Sequence, residues 1–170
     1  MFIHAVALIF FEGGNHMLFE FGAFRIDVDV ERTRTFYRDY AKRLVEGCDC
    51  VNCQNFDRAV VQTSDCVRSF FDMLGVDPSK SPEVYNVIGD LDTNGMVLYS
   101  GFYHLVGTVL DGNDIWEGNR GHYHLNPEKM YVVDETMRVG FTSKIDCLEE
   151  HFPMPCIQME AWGHLPWVLD

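Results

Sequence analysis

The sequence predicts an α+β fold: an antiparallel β-sheet of about five strands, with a helix pair placed after the first strand and packed on one face. Three observations carry this. The apolar period changes from two residues to 3.6 after Glu31, two helical stripes are bunched between Phe36 and Leu74, and most of the chain beyond Pro82 alternates as strands do. Helices gathered ahead of a run of strands cover one side of a sheet instead of interleaving with it.

The first strand is LFEFGAFRIDVD, Leu18 to Asp29, in which Phe19, Phe21 and Ala23 share one register and Phe24, Ile26 and Val28 the other, after a slip at Gly22 that suggests a bulge. From Glu31 onward Phe36, Tyr37, Tyr40, Ala41, Leu44 and Val45 fall on one face of a helix that Gly47 ends. A cysteine-rich loop follows. Phe56, Ala59, Val60, Val67, Phe70, Phe71 and Leu74 then mark a second amphipathic helix, closed by Gly75, and the short loop makes the two an antiparallel pair.

GVDPSKSP is turn chemistry, since Pro78 and Pro82 block further helix. Strands over Glu83 to Leu91 and Met96 to Leu110 flank DTNG, whose Asn94 and Gly95 signal a hairpin; Gly101 and Gly107 mark bends in the longer strand. Asp111 to Gly121 reads as a polar loop long enough to be functional. Met130 to Thr142 and Pro155 to Trp162 supply two or three further strands.

A length of 170 residues, 47% of them hydrophobic and 14% aromatic, suits one globular domain with a core of its own. The net charge of -13 is spread along the chain. Such a field repels phosphate backbones, which argues against nucleic acid as a partner, and it favours a basic protein or simply keeps the domain soluble. No apolar run is long enough to span a membrane, so a bacterial cytoplasm is the expected location, where thiols stay reduced.

The first residues, MFIHAVALIFF, resemble a secretory signal but lack its basic start and its cleavage site. Back-translation of Glu12 to Met17, EGGNHM, yields a bacterial ribosome-binding sequence just ahead of an ATG codon. Residues 1–16 are therefore expected to be translated upstream sequence, and 17–170 to be the single native domain.

Three of six cysteines, Cys48, Cys50 and Cys53, fall within GCDCVNCQNF, between the two helices. Soft thiolates at C-x-C-x-x-C spacing suit zinc, and a loop running into a helix N-terminus lowers thiol pKa values. A structural zinc site takes four ligands, so a fourth is sought from Cys66, Cys147, Cys156 or a histidine. Packing of the thiols in the helix junction, or redox and nucleophilic chemistry, are the alternatives.

Together with LGVDPSKSPEVY (Leu74 to Tyr85) and QMEAWGHLPWVL (Gln158 to Leu169), the cysteine stretch resembles a family of small uncharacterised bacterial proteins with a GC-x-C-x-x-C-x-N[FY] signature. The resemblance covers most of the chain from Met17. It implies a bacterial origin and a single domain, and carries no activity.

His122, His124 and Glu128 in GHYHLNPE have H-x-H-x-x-x-E spacing, which resembles the first metal motif of the cupins. Pro127 interrupts that strand and the motif's later glycine is missing, so the simpler reading is a pair of loop histidines. Asp90, Asp92, Asn94 and Gly95 spell the opening of a calcium loop, yet its twelfth position is Gly101 instead of glutamate, leaving a hairpin turn. Asp27, Asp29 and Glu31 could pair for acid and base work, although Asp29 before a helix is more simply an N-cap. Trp116, set in the polar loop, is the candidate binding anchor.

Acidity, aromatic content and the lack of a catalytic signature favour a non-catalytic acidic cytosolic binding protein that neutralises a basic protein partner, in the manner of immunity or antidefence proteins. One alternative is a zinc-binding protein or metalloenzyme using the cysteine cluster or the His122 and His124 pair. Another is a small-molecule sensor with its pocket between helices and sheet.

Overall fold

The computed structural model describes residues 16–89, 91–92, 94–119 and 121–170, together with the backbone of Ile9–Phe10. The expected translated leader falls, apart from that dipeptide and His16, outside the described residues.

In chain order the strands are β1 (Ile9–Phe10), β2 (His16–Phe21) and β3 (Phe24–Asp29). Four helices follow, α1 (Val30–Asp39), α2 (Leu44–Gly47), α3 (Val51–Ala59) and α4 (Asp65–Met73). Then come β4 (Val84–Asn86), β5 (Met96–Asp111), β6 (Trp116–Asn119), β7 (His122–Leu125), β8 (Tyr131–Val132), β9 (Met137–Thr142) and β10 (Cys156–Pro166). All pairings are antiparallel; eight strands form one sheet in the order β1-β2-β3-β5-β10-β9-β8, with β4 also on β5, and β6 with β7 forms a separate two-stranded ribbon.

The chain is thus α+β, but the expected sheet of about five strands under a simple helix pair is wrong. The strands differ from that expectation in two places. The slip at Gly22 is a hairpin turn, not a bulge: Gly22 sits at φ +60, where a side chain is strained, and β2 folds back on β3 with Phe21 opposite Phe24. The polar loop expected over Asp111 to Gly121 likewise contains β6, which pairs with β7 just beyond it in a ribbon separate from the large sheet.

Each expected helix is also two helices. The first breaks after Asp39: Tyr40, placed by periodicity on the buried face, is 62% exposed, and Leu44 N–H donates instead to Ser79 O at 3.2 Å. The second breaks at Thr63 and Ser64, where the Ser64 hydroxyl accepts from Val67 N–H at 3.1 Å and starts α4 as its N-cap. The expected cap at Asp29 is present, accepting from Arg32 N–H at 3.0 Å. The strand expected over Glu83 to Leu91 is only the three residues of β4, after which Asp92 closes the turn by accepting from Asn94 and Met96 N–H; Asp90 and Thr93 lie outside the described residues.

Helices α3 and α4 cover one face of the sheet. β5 sends Val97, Tyr99, Tyr103 and Leu105 to that side, β10 adds Ile157, Met159 and Leu165, and β9 adds Val139 and Phe141, all buried. Phe56 of α3 meets Tyr99 edge-on, with ring centres 5.3 Å apart, and Phe71 of α4 meets Tyr103 at 5.0 Å. Burying one such ring contributes about 1.5–3 kcal/mol, which compensates the weak intrinsic stability of nine-residue helices.

The opposite face is covered along β5 and β10 by the segment between β9 and β10. There His104 and Gln158, nearly inaccessible like their neighbour Glu160, hold the main chain of Asp146: its N–H donates to Gln158 Oε1 at 2.8 Å, and its carbonyl meets His104 Nε2 at 3.0 Å. Gln158 in turn donates to Glu160 Oε1 at 2.6 Å.

Candidate metal and thiol centre

Cys48, Cys50 and Cys53 are brought together by the turn from α2 into α3. Cys48 is the C-cap of α2, donating its N–H to Leu44 O at 3.2 Å, and Cys50 is the N-cap of α3. An N-cap side chain lies over the amide three residues on. The Sγ of Cys50 accordingly accepts from Cys53 N–H at 3.5 Å, so it faces the residue that carries the next thiol. All three sulfurs lie within 4.8 Å of one another, and no disulfide joins them.

The frame around this turn is well fixed. Arg43, the residue before α2, forms a two-pronged ion pair with the nearly buried carboxylate of Asp57 in α3, one prong being Nε to Oδ1 at 3.0 Å. Gln54 Nε2 donates to Asp49 O at 2.6 Å across the loop itself. The sheet holds the helix from below, since Tyr99 donates to Asn52 O at 3.2 Å and the buried Asn55 amide donates to Tyr99 Oη and Pro166 O, both at 3.1 Å.

The three thiols differ in environment. Cys50 is exposed, and the Cys53 N–H followed by the neighbouring thiols holds its pKa below the usual value. Cys53 is buried, and desolvation, followed by those same neighbours, pushes its thiol well up. Cys48 is half-buried between them.

Four thiolates around zinc at about 2.3 Å place sulfurs roughly 3.8 Å apart, against separations of no more than 4.8 Å among these three. None of the other cysteines joins the group. Cys66 donates to Val133 O, Cys147 faces Glu83, and Cys156 packs on β10, where burial raises its pKa to about 12. Among the described residues the cluster offers three protein ligands.

The other site residues read from sequence lie elsewhere. His122 and His124 are exposed on β7, with His124 Nε2 3.9 Å from Glu117, and Glu128 turns away to Arg138 at 3.2 Å, so the H-x-H-x-x-x-E residues do not converge. Trp116 opens β6 half-buried and packs against the core. Between α3 and the sheet, where the sensor alternative places its pocket, the space lined by Phe56, Tyr99 and Tyr103 is about 10 Å³, room for a single water.

Two features were missed in the sequence. The buried His104, Gln158 and Glu160 network gives no signal, because polar residues alternating in a strand read as its wet face. A groove of about 340 Å³ beside the cysteine turn, bounded by Val51, Asn52, Asn86, Leu91 and Trp167, draws its walls from four separate segments. No family model, curated protein or solved structure matches the chain. Among the described residues no helix is long and apolar enough to cross a membrane.

Proposed function

We propose that this protein binds a soft divalent metal ion, zinc in the first place, through Cys48, Cys50 and Cys53. The observation that supports the reading best is the convergence of three sulfurs within 4.8 Å on a turn braced from both sides. Three thiolates leave one coordination position for water or a substrate atom. A zinc ion held that way can act as a Lewis acid, whereas a fourth protein ligand would make it structural. Asn52 and Val51, directly after Cys50, wall the adjoining groove, so a bound ion would sit beside a space for a small ligand.

The test is elemental analysis of protein purified under reducing conditions without added metal, with Cys50→Ser/Cys53→Ser as control. About one zinc per chain, lost in the control, supports the reading. Metal-free protein that takes up neither zinc nor cobalt on titration refutes it.

Binding of a basic protein is a second reading, favoured by one observation: Tyr85, Val87, Ile88 and Leu91 are exposed apolar residues in one short segment, flanked by the acids Glu83 and Asp92. Affinity for such a partner should fall steeply as salt rises, and salt-insensitive binding would count against it.

A further inference from the structure

We propose that Cys50 and Cys53 form a thiol–disulfide exchange site that reduces exposed disulfides, with Cys50 as the attacking sulfur and Cys53 as the resolving one. The inference concerns the metal-free thiols and does not rest on metal binding.

Three geometric facts carry it. Cys50 is exposed, so its sulfur can reach an external disulfide, whereas Cys53 is buried and is not placed to attack one first. The N-cap position aims Cys50 Sγ at the amide of Cys53, and the two sulfurs lie within 4.8 Å, so a mixed disulfide on Cys50 would form beside its resolving thiol. Third, the groove lined by Val51 and Asn52, the two residues after Cys50, together with Asn86, Leu91 and Trp167, provides a mixed polar and apolar seat for the part of the substrate beyond its sulfur.

The chemistry closes on itself. The Cys50 thiolate attacks one sulfur of RSSR, forming Cys50–S–SR and releasing RS⁻. Cys53 loses its proton, and its thiolate attacks Cys50 Sγ, forming the Cys50–Cys53 disulfide and releasing the second RS⁻. The two leaving thiolates take up the two protons given up by the cysteines. Two electrons have passed from the protein dithiol to the disulfide, with no other reactant needed.

Cys66 is a built-in comparison. It too is exposed and lies in the first turn of a nine-residue helix, but its sulfur donates to Val133 O and belongs to no thiol cluster. Attack there should stop at the mixed disulfide. Trypsin separates the two cases, because cleavage at Arg43 and Arg58 releases Leu44–Arg58 with all three clustered cysteines, and cleavage at Arg68 releases Cys66 alone.

The experiment is incubation of the reduced full chain, in chelator, with bis(2-hydroxyethyl) disulfide, an uncharged probe that a net charge of -13 does not repel, followed by acid quench, digestion and mass spectrometry. The expected result is an internal disulfide in Leu44–Arg58 with no retained mercaptoethanol, forming at least about tenfold faster than the mixed disulfide on Cys66. Cys48→Ser should retain the reaction and Cys50→Ser should lose it. Cys48→Ser/Cys53→Ser, which has no thiol left to resolve the adduct, should accumulate the mixed disulfide on Cys50. Equal rates at Cys66 and the cluster, a stable adduct on wild-type Cys50, or an undiminished reaction in Cys50→Ser would each overturn the proposal. Zinc content plays no part in these readouts, so the exchange site and the metal site can fail separately.

Discussion

Replacing Glu160 by Gln should remove a pH-dependent weakness from the core. Glu160 is 2% exposed, accepts from Gln158 Nε2 at 2.6 Å, and faces Asp146; burial, reinforced by that carboxylate and opposed by the Gln158 hydrogen bond, pushes its pKa up to about 7 from an ordinary 4.5. The folded state therefore holds this proton more tightly than the unfolded chain does. Stability from this group is fully present below the unfolded value and is lost as pH rises through about 7. At 1.36 kcal/mol per pKa unit the loss is about 3 kcal/mol. Glutamine can accept the same hydrogen bond from Gln158 and has no charge to bury. Urea unfolding of both proteins between pH 4.5 and 8 should show nearly equal stability at the acid end and the variant ahead by about 3 kcal/mol at pH 8, or roughly 6–12 °C in Tm. Comparing the two proteins cancels His104, whose pKa burial lowers and which loses stability in the opposite direction, as pH falls through its unfolded value. A stability difference that does not change with pH would show that the Glu160 carboxylate is hydrated in the folded protein, and the argument would fail.

Two further substitutions probe the frame. Asn55→Ala removes donors to Tyr99 and Pro166 and the acceptor of Val168 N–H at 2.7 Å; a loss of about 2–3 kcal/mol is expected, with faster amide exchange at Val168, and unchanged exchange there would refute the clamp. Gly107→Ala places a methyl 2.1 Å from the backbone oxygen of Asp27 on the paired strand and should cost about 3 kcal/mol or prevent folding, whereas Gly101→Ala, whose nearest atom is a Val84 methyl at 2.9 Å, should be milder. A ranking in the reverse order, read from denaturant midpoints, would contradict the β3–β5 register.

The sequence showed stripes better than breaks. Phe36 and Tyr37, and Val67, Phe70 and Phe71, are buried as their spacing requires, because helical periodicity survives a local interruption. The interruptions depend on single polar contacts. Ser64, followed three residues on by Val67, marks a helix start that the apolar stripe running through it concealed, and the break before Leu44 is satisfied by Ser79, a residue 35 positions away that no local pattern contains. Alternation across Gly22 looked the same for one bent strand and for two paired ones, since a tight turn also reverses the register. At the site, the spacing of Cys48, Cys50 and Cys53 was visible at once. The contrast between an open Cys50 and a covered Cys53 was not, because it comes from how α3 lies on the sheet. Trp116 appeared free because its neighbours in sequence are polar, while its neighbours in space are the core.

β10 lies inside the large sheet, between β5 and β9, yet follows every other element in the chain, and each of its pairings with β5 joins residues about 50 to 70 positions apart. The partner edge of β5 therefore stays open while the helices and the β2–β3 hairpin are already able to form. Folding of this protein should be limited by a late encounter between distant strands, with rates on the slow side for its size and little dependence on how fast the individual helices form. During synthesis, β5 would emerge long before β10 and would be the segment most in need of protection from other chains.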